Sequence, residues 1–436
     1  MLIKPALLYK NILNSTYPDK IILLTIFLFP VMTLSVRHWL SGLYSLLVVM
    51  SLFLVFNLKQ KIQLHKEEKI LFVLFVIFIF SFILSATLNG WSDNSYRRIG
   101  NVVKYVAFFP FYLLIRQYTS TFNLLLAGII IGGIVFGINA LYDVFIIDRG
   151  QAAGIYGPIV FGDLAVLYLS IVFILLFFTH KRAFTQIPYL ASLILLTLTV
   201  ILSGSRNAWL AAIFTLFAVP LLCSQYIKYT KTALSLLLFT CLAIITMFAL
   251  NQTMNKRLNL AYTEFVTFTT EGAPKATPII SNSIGFRLEQ WRVALIVTQD
   301  APLFGYGGGN AGKHITHAAE KGLGHPDLIN PHTIKGIGGL HSTYFESLVN
   351  EGIVGLIIIM IFLLYPAYTF IRIRKYNPLL STIGLIFSLN YMIFGLTENP
   401  FVHDNFTSVY LVFLAIFFST AMHEKYQDDI SPHSSG

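Results

Sequence analysis

Apolar runs of about twenty residues recur along the chain, separated by short polar connections. A hydrocarbon core of about 30 Å needs roughly 20 residues of helix to cross it, so each run reads as a membrane-spanning helix. Twelve are expected, near 21–36, 39–57, 69–88, 99–116, 121–147, 157–179, 187–203, 205–224, 232–250, 340–370, 378–396 and 405–422. Pro30, Pro110, Gly132, Gly133, Pro220 and Pro366 fall inside these runs. Membrane helices tolerate such residues because neighbouring groups pair the freed backbone. The pattern predicts an all-α polytopic membrane protein of about twelve transmembrane helices.

One interval breaks the rhythm. Residues 251–339 form a hydrophilic stretch of 89 residues, far beyond an ordinary connection. Inside it, Ile284, Leu288, Trp291 and Leu295 recur at helical spacing with Arg287 and Arg292 off that stripe, which predicts an amphipathic helix at the membrane interface over 284–299. Turn-rich pieces at 271–278 and 303–313 flank it. The expected division is helices 1–9 in 1–250, a large loop containing short helices in 251–339, and helices 10–12 with a polar tail in 340–436.

Composition agrees with burial in lipid: 56% of residues are hydrophobic and 11% charged, against about 25% charged in soluble domains. The formal net charge of +10 acquires meaning only from where the cations sit. With the N-terminus inside, sixteen Lys and Arg fall on the inner side and five (Arg37, Arg97, Arg98, Arg149, Arg206) in the opposite short connections. That bias orients the chain with both termini cytoplasmic and 251–339 on the outer face. The basic balance is therefore a topology signal; membrane lipids are expected partners and nucleic acid is not. Cys223 and Cys241 lie in apolar runs and suggest no disulfide framework. The first twenty residues are too polar for a cleaved signal peptide. Trp91, Tyr156, Trp209 and Trp291 are expected as interface anchors.

Several residues on the outer face bear chemistry. His314, His317, His325, His332 and His341 suggest a metal site at first, but only His314 and His317 approach ligand spacing and no carboxylate set accompanies them; solvated loop histidines are the plainer reading. The glycine-rich segment 304–310 lacks the G-K-[ST] ending of a phosphate-binding loop, leaving a backbone turn or an anion-binding nest. His341 differs by position, just before a helix expected to open at Thr343-x-x-Glu346, a weak capping box. Helix N-termini attract anions, and imidazole suits proton transfer near neutrality. Arg206, in the tight turn 203–209, lies close to hydrocarbon, where a charge is costly unless it pairs or serves a ligand. A guanidinium fork suits phosphate; snorkelling to headgroups is the competing account. Arg287 offers a second fork, Arg292, Arg97, Arg98 and Lys104 add cations on the same side, and Asp143, Asp163, Glu346, Glu351 and Glu398 are available as their partners. Several cations beside one histidine suit a lipid-linked diphosphate.

The motifs S-G-S-R-N-A-W (203–209), F-R-L-E-Q-W (286–291) with P-L-F-G-Y-G-G-G-N (302–310), and H-S-T-Y-F-E-S-L-V-N-E-G (341–352), together with the span pattern, resemble the O-antigen ligases of Gram-negative bacteria. The resemblance implies transfer of O-polysaccharide from undecaprenyl diphosphate to a sugar hydroxyl of lipid A–core oligosaccharide, on the periplasmic face of the inner membrane, inverting and without metal or other cofactor. It places an essential histidine at His341 as the catalytic residue and diphosphate-binding arginines at Arg206 and Arg287, with Arg292, Arg97 and Arg98 as possible further contacts. O-antigen polymerases, which use the same donor, share the plan. A secondary transporter is the alternative from another class, although no internal repeat is found and the candidate residues gather at one face rather than the midplane.

Overall fold

The computed structural model describes residues 17–33, 36–56, 63–178, 183–224, 283–329 and 339–428, with isolated positions between 259 and 270. All regular structure among these residues is helical. The helices are α1 (Tyr17–Val31), α2 (Trp39–Phe56), α3 (Lys66–Asn89), α4 (Asp93–Ile115), α5 (Thr121–Leu141, closed by a π turn at Tyr142–Ile146), α6 (Pro158–Phe178), α7 (Ala183–Ser203), α8 (Arg206–Cys223), α9 (Ser283–Thr298), α10 (Ala311–Glu320), α11 (Thr343–Arg372), α12 (Pro378–Thr397) and α13 (Asp404–Asp428). Among the described residues nine helices are long and apolar enough to cross a membrane, namely α3 to α8 and α11 to α13. The expected spans at 21–36 and 39–57 correspond to the shorter helices α1 and α2. The one expected at 232–250 lies outside the described residues.

Helices α6 and α13 form the centre of the bundle, each with 89% of its apolar window buried, whereas α3 and α4 are peripheral at 28% and 33%. The core between α12 and α13 is aromatic: Phe387, Tyr391, Tyr410 and Phe413 pack ring against ring at 4.8–6.0 Å. Several polar groups inside the bundle pair with one another, which offsets the cost of their burial. Ser170, Thr215 and Asn390 bond across α6, α8 and α12. At the end of the bundle away from α9, the fully buried carboxylate of Glu68 accepts from Arg116 at 2.7 Å and from Tyr112 at 2.8 Å.

The tenth expected span is not one helix. Gly352 adopts φ 69°, ψ −164° inside α11, a region essentially closed to other residues. The break admits the glycine-rich segment: a Cβ at Gly352 would lie 2.3 Å from the Leu303 carbonyl oxygen. The backbone groups freed by the break are taken up by that segment. Ile353 N–H donates to Pro302 and Val354 N–H to Leu303, while the Val349 and Asn350 carbonyls accept from Tyr306 and Gly307. The remaining stretch 353–372 gives about 30 Å of helix at 1.5 Å per residue, enough to span by itself.

Beside α9, α10 and the first half of α11 a second, smaller core forms from Phe286, Val293, Val297, Ile315, Leu328, Leu340 and Val349. This layer corrects the expected amphipathic face of α9. The buried stripe is Phe286, Gln290, Val293 and Val297, and Leu295 is exposed. Both stripes have helical spacing; packing against α10 selects between them.

Candidate functional site

The turn between α7 and α8 is shaped by Gly204, at φ 61°, and by Ser205, whose hydroxyl caps α8 by accepting from Ala208 N–H at 3.3 Å. Gly162 of α6 lets that turn sit close, since a Cβ there would meet the Ser203 hydroxyl at 2.5 Å. Arg206 therefore stands in the first turn of α8, where free backbone N–H groups and the helix dipole favour negative charge. Asn207 turns inward and donates to the fully buried carboxylate of Asp163 at 2.7 Å.

Helix α9 lies over this end of the bundle. Arg206, Asn207 and Leu210 from α8, Ile284, Arg287, Leu288 and Trp291 from α9, and Thr397 from the end of α12 enclose a cavity of about 270 Å³. Three residues of the expected apolar stripe, Ile284, Leu288 and Trp291, thus line this cavity. Burial pushes the Arg287 guanidinium down from its ordinary value; Glu398 and Asp163 oppose that shift and the neighbouring Arg206 reinforces it. Two guanidinium groups facing one sheltered space repel each other, and an anion between them reverses the sign of that interaction.

The same helix fixes the approach to His341. Gln290 donates to the Gly339 carbonyl at 2.6 Å and the Trp291 indole to the Leu340 carbonyl at 3.0 Å. The Trp291 ring stacks on Phe345 at 5.2 Å. His341 has φ 44°, a left-handed conformation rare outside glycine, Asn and Asp. Ser342, not Thr343, is the N-cap of α11. Glu346 reaches back to Leu340 N–H, at 3.3 Å, in place of the expected capping box. Thr343 N–H donates to the Glu398 carbonyl.

Glu398, immediately after α12 and 5% exposed in its side chain, joins two imidazoles: His341 Nδ1 lies 3.4 Å from one carboxylate oxygen and His403 Nε2 lies 3.5 Å from the other. Burial pushes the Glu398 carboxyl up, but hydrogen bonds and charge from His341 and His403 outweigh it and hold the group well below its ordinary value. An ionised carboxylate only accepts hydrogen bonds, so His341 Nδ1 carries a hydrogen, and in the neutral ring this leaves Nε2 as the acceptor. The arrangement can take up a proton at Nε2 while the resulting cation is balanced by Glu398.

The other candidates lie elsewhere. Arg292 forms a bidentate pair with Glu289 at 2.7 Å and caps the Leu323 carbonyl, holding α9 to the loop after α10. Arg97 is exposed on α4. Arg98 pairs with the buried Glu346 across α4 and α11, and Lys104 pairs with Asp404. Asp143 accepts from the Ala153 and Gly154 N–H groups and from Arg149.

The other histidines disperse: His314 stacks on Tyr306, His317 lies beside Glu320, and His325 faces Asp327. His332 is outside the described residues. The glycine-rich segment is a packing device, since a Cβ at Gly308 would meet the Phe82 ring at 2.0 Å. Three expected interface anchors are hydrogen-bonded within the protein: Trp209 to Val200, Trp291 to Leu340 and Tyr156 to His38. Glu398 entered the sequence reading only as a possible cation partner and His403 did not enter it. The H-D-N sequence at 403–405 carries no spacing that links it to His341.

Residues 191–360 match a protein-family profile described as O-antigen ligase; the span contains Arg206, Arg287 and His341 and ends before Glu398 and His403. Over 356 residues the chain is 25% identical to an uncharacterized protein of Haemophilus influenzae, covering 80% of this chain and 85% of that protein.

Proposed function

We propose that this protein, an integral membrane protein carrying an O-antigen ligase domain over residues 191–360, transfers a polysaccharide from a polyprenyl diphosphate to a hydroxyl of lipid A–core oligosaccharide. The observation that carries the reading is the convergence of Arg206 and Arg287, from segments 81 residues apart in sequence, on one cavity beside an imidazole oriented by a buried carboxylate. Arg206 and Arg287 hold the diphosphate and stabilise the charge that grows on it as the glycosidic bond breaks. His341 Nε2 takes the proton of the acceptor hydroxyl as its oxygen bonds to the anomeric carbon. The carbon–oxygen bond to the diphosphate breaks on the opposite side, inverting that carbon and releasing polyprenyl diphosphate. Glu398 keeps the imidazole in the required tautomer. The donor is read as undecaprenyl diphosphate-linked O-antigen, with the site on the periplasmic face of the inner membrane.

The test is transfer by purified protein in lipid nanodiscs, given lipid-linked polysaccharide and rough lipopolysaccharide. Polymer on the lipid A–core is the expected product. Longer chains that remain on the polyprenyl carrier, with the core untouched, would assign the protein as a polymerase instead.

A further inference from the structure

A second cavity lies across the 397–399 segment from the arginine cavity, bounded by α3, α4, α11 on both sides of its break at Gly352 and the turn after α12. Three consecutive residues separate the two spaces. Thr397 lines the arginine cavity, Glu398 holds both imidazoles, and Asn399 lines the second cavity. Thr343, two residues beyond His341, lines the second cavity as well and donates to Asn399 at 3.2 Å. Glu346, which reaches Leu340 N–H next to His341, also faces it.

The chemistry of the two spaces differs. The arginine cavity presents two guanidinium groups, whereas the second presents Arg98 already paired with Glu346, beside Glu351, whose carboxyl burial pushes up to about 8. That set offers a diphosphate no net positive charge. A saccharide needs none: its hydroxyls donate to carboxylates and accept from guanidinium and amide groups. Aromatic rings such as Phe82 and Phe401 offer the flat apolar faces that binding pockets place beside a few oriented polar groups.

We infer that this second cavity is the subsite for the saccharide that accepts the transferred chain. The inference rests on the proposed function, since it places the acceptor and the diphosphate on opposite sides of the wall that carries Glu398 and the segment leading to His341.

Two variants of the full chain test it, both sparing the Arg98–Glu346 pair. Glu351→Gln replaces a carboxyl hydrogen-bonding group by an amide at nearly constant shape, and Ser347→Phe fills part of the cavity. Transfer kinetics in nanodiscs should show KM for rough lipopolysaccharide raised roughly tenfold, with KM for the lipid-linked donor within about twofold of wild type. In parallel, core oligosaccharide freed of lipid A is titrated into each protein, and both variants should bind it about tenfold more weakly. A rise in donor KM with acceptor KM unchanged, or core oligosaccharide binding equal in all three proteins, overturns the subsite. Wild-type protein that moves no polymer to the core overturns the proposed function instead, and the titration still decides whether the cavity binds saccharide.

Discussion

Replacing Glu398 by Gln tests the link between the buried carboxylate and His341 at almost constant volume. The substitution removes the charge that balances a protonated imidazole, and its amide can present an N–H to His341 as readily as an oxygen, which disturbs the tautomer. A hydrogen bond to a charged group contributes about 1.5–3 kcal/mol. The His341–Glu398 separation of 3.4 Å is longer than the usual 2.9 Å or so for N–H···O bonds, which places this one near the lower end, about 1.5–2 kcal/mol. At 1.36 kcal/mol per factor of ten, kcat should fall about 10- to 30-fold. Donor KM should stay close to wild type, because Arg206 and Arg287 remain in place. The assay is steady-state transfer of lipid-linked polysaccharide to rough lipopolysaccharide, with thermal unfolding measured in parallel. An unchanged kcat in a folded variant refutes the positioning role. A donor KM that rises while kcat holds shows that Glu398 serves the diphosphate cavity instead.

Removing the imidazole itself, as His341→Ala, should cost about 10²- to 10⁴-fold in transfer rate with the protein still inserted, and near-normal capping of core lipopolysaccharide in ligase-deficient cells would contradict the assignment. Arg206→Lys and Arg287→Lys keep a charge but lose the fork, so donor KM should rise at least about tenfold for either; full activity of Arg206→Lys would mean that this residue only snorkels. Gly352→Ala forces a side chain into a left-handed position facing the Leu303 carbonyl at 2.3 Å, and thermal unfolding should show a loss of at least about 2 kcal/mol; an unchanged midpoint would mean that α11 closes without the break. Because Glu398 is held below its ordinary value of 4.5, its contribution to stability is fully present above pH 4.5 and is lost as pH falls through the folded value. Thermal stability from pH 7 to 5 should therefore be the same slope for wild type and Glu398→Gln, with wild type losing more on further acidification; parallel curves below pH 4.5 would contradict the coupling.

The sequence by itself determined the solvent of this protein and singled out the residue types of a candidate site. Long apolar runs with little charge are legible because one period, about twenty residues, satisfies the bilayer whatever the partners are. Arg206 stands out because a charge near hydrocarbon has few other reasons to be there, His341 because it precedes a helix start, and Arg287 through the family resemblance. Tertiary structure decided everything that depends on which surfaces meet. Helix α9 has two stripes of helical spacing, and only its packing on α10 shows that Phe286, Val293 and Val297 are buried while Ile284, Leu288 and Trp291 line the cavity. The break at Gly352 is invisible in an apolar run, since it exists to receive residues 302–307, about fifty positions earlier. The same holds for charge. In the sequence Arg292, Arg98 and Arg287 are equivalent cations, but Glu289 and Glu346 occupy the first two and the third meets Arg206 across a cavity. Glu398 and His403 come together with His341 only because the turn after α12 folds against the start of α11, a contact between segments 57 residues apart. Local periodicity records what each helix needs from its surroundings, and distant contacts decide which of its faces supplies the chemistry.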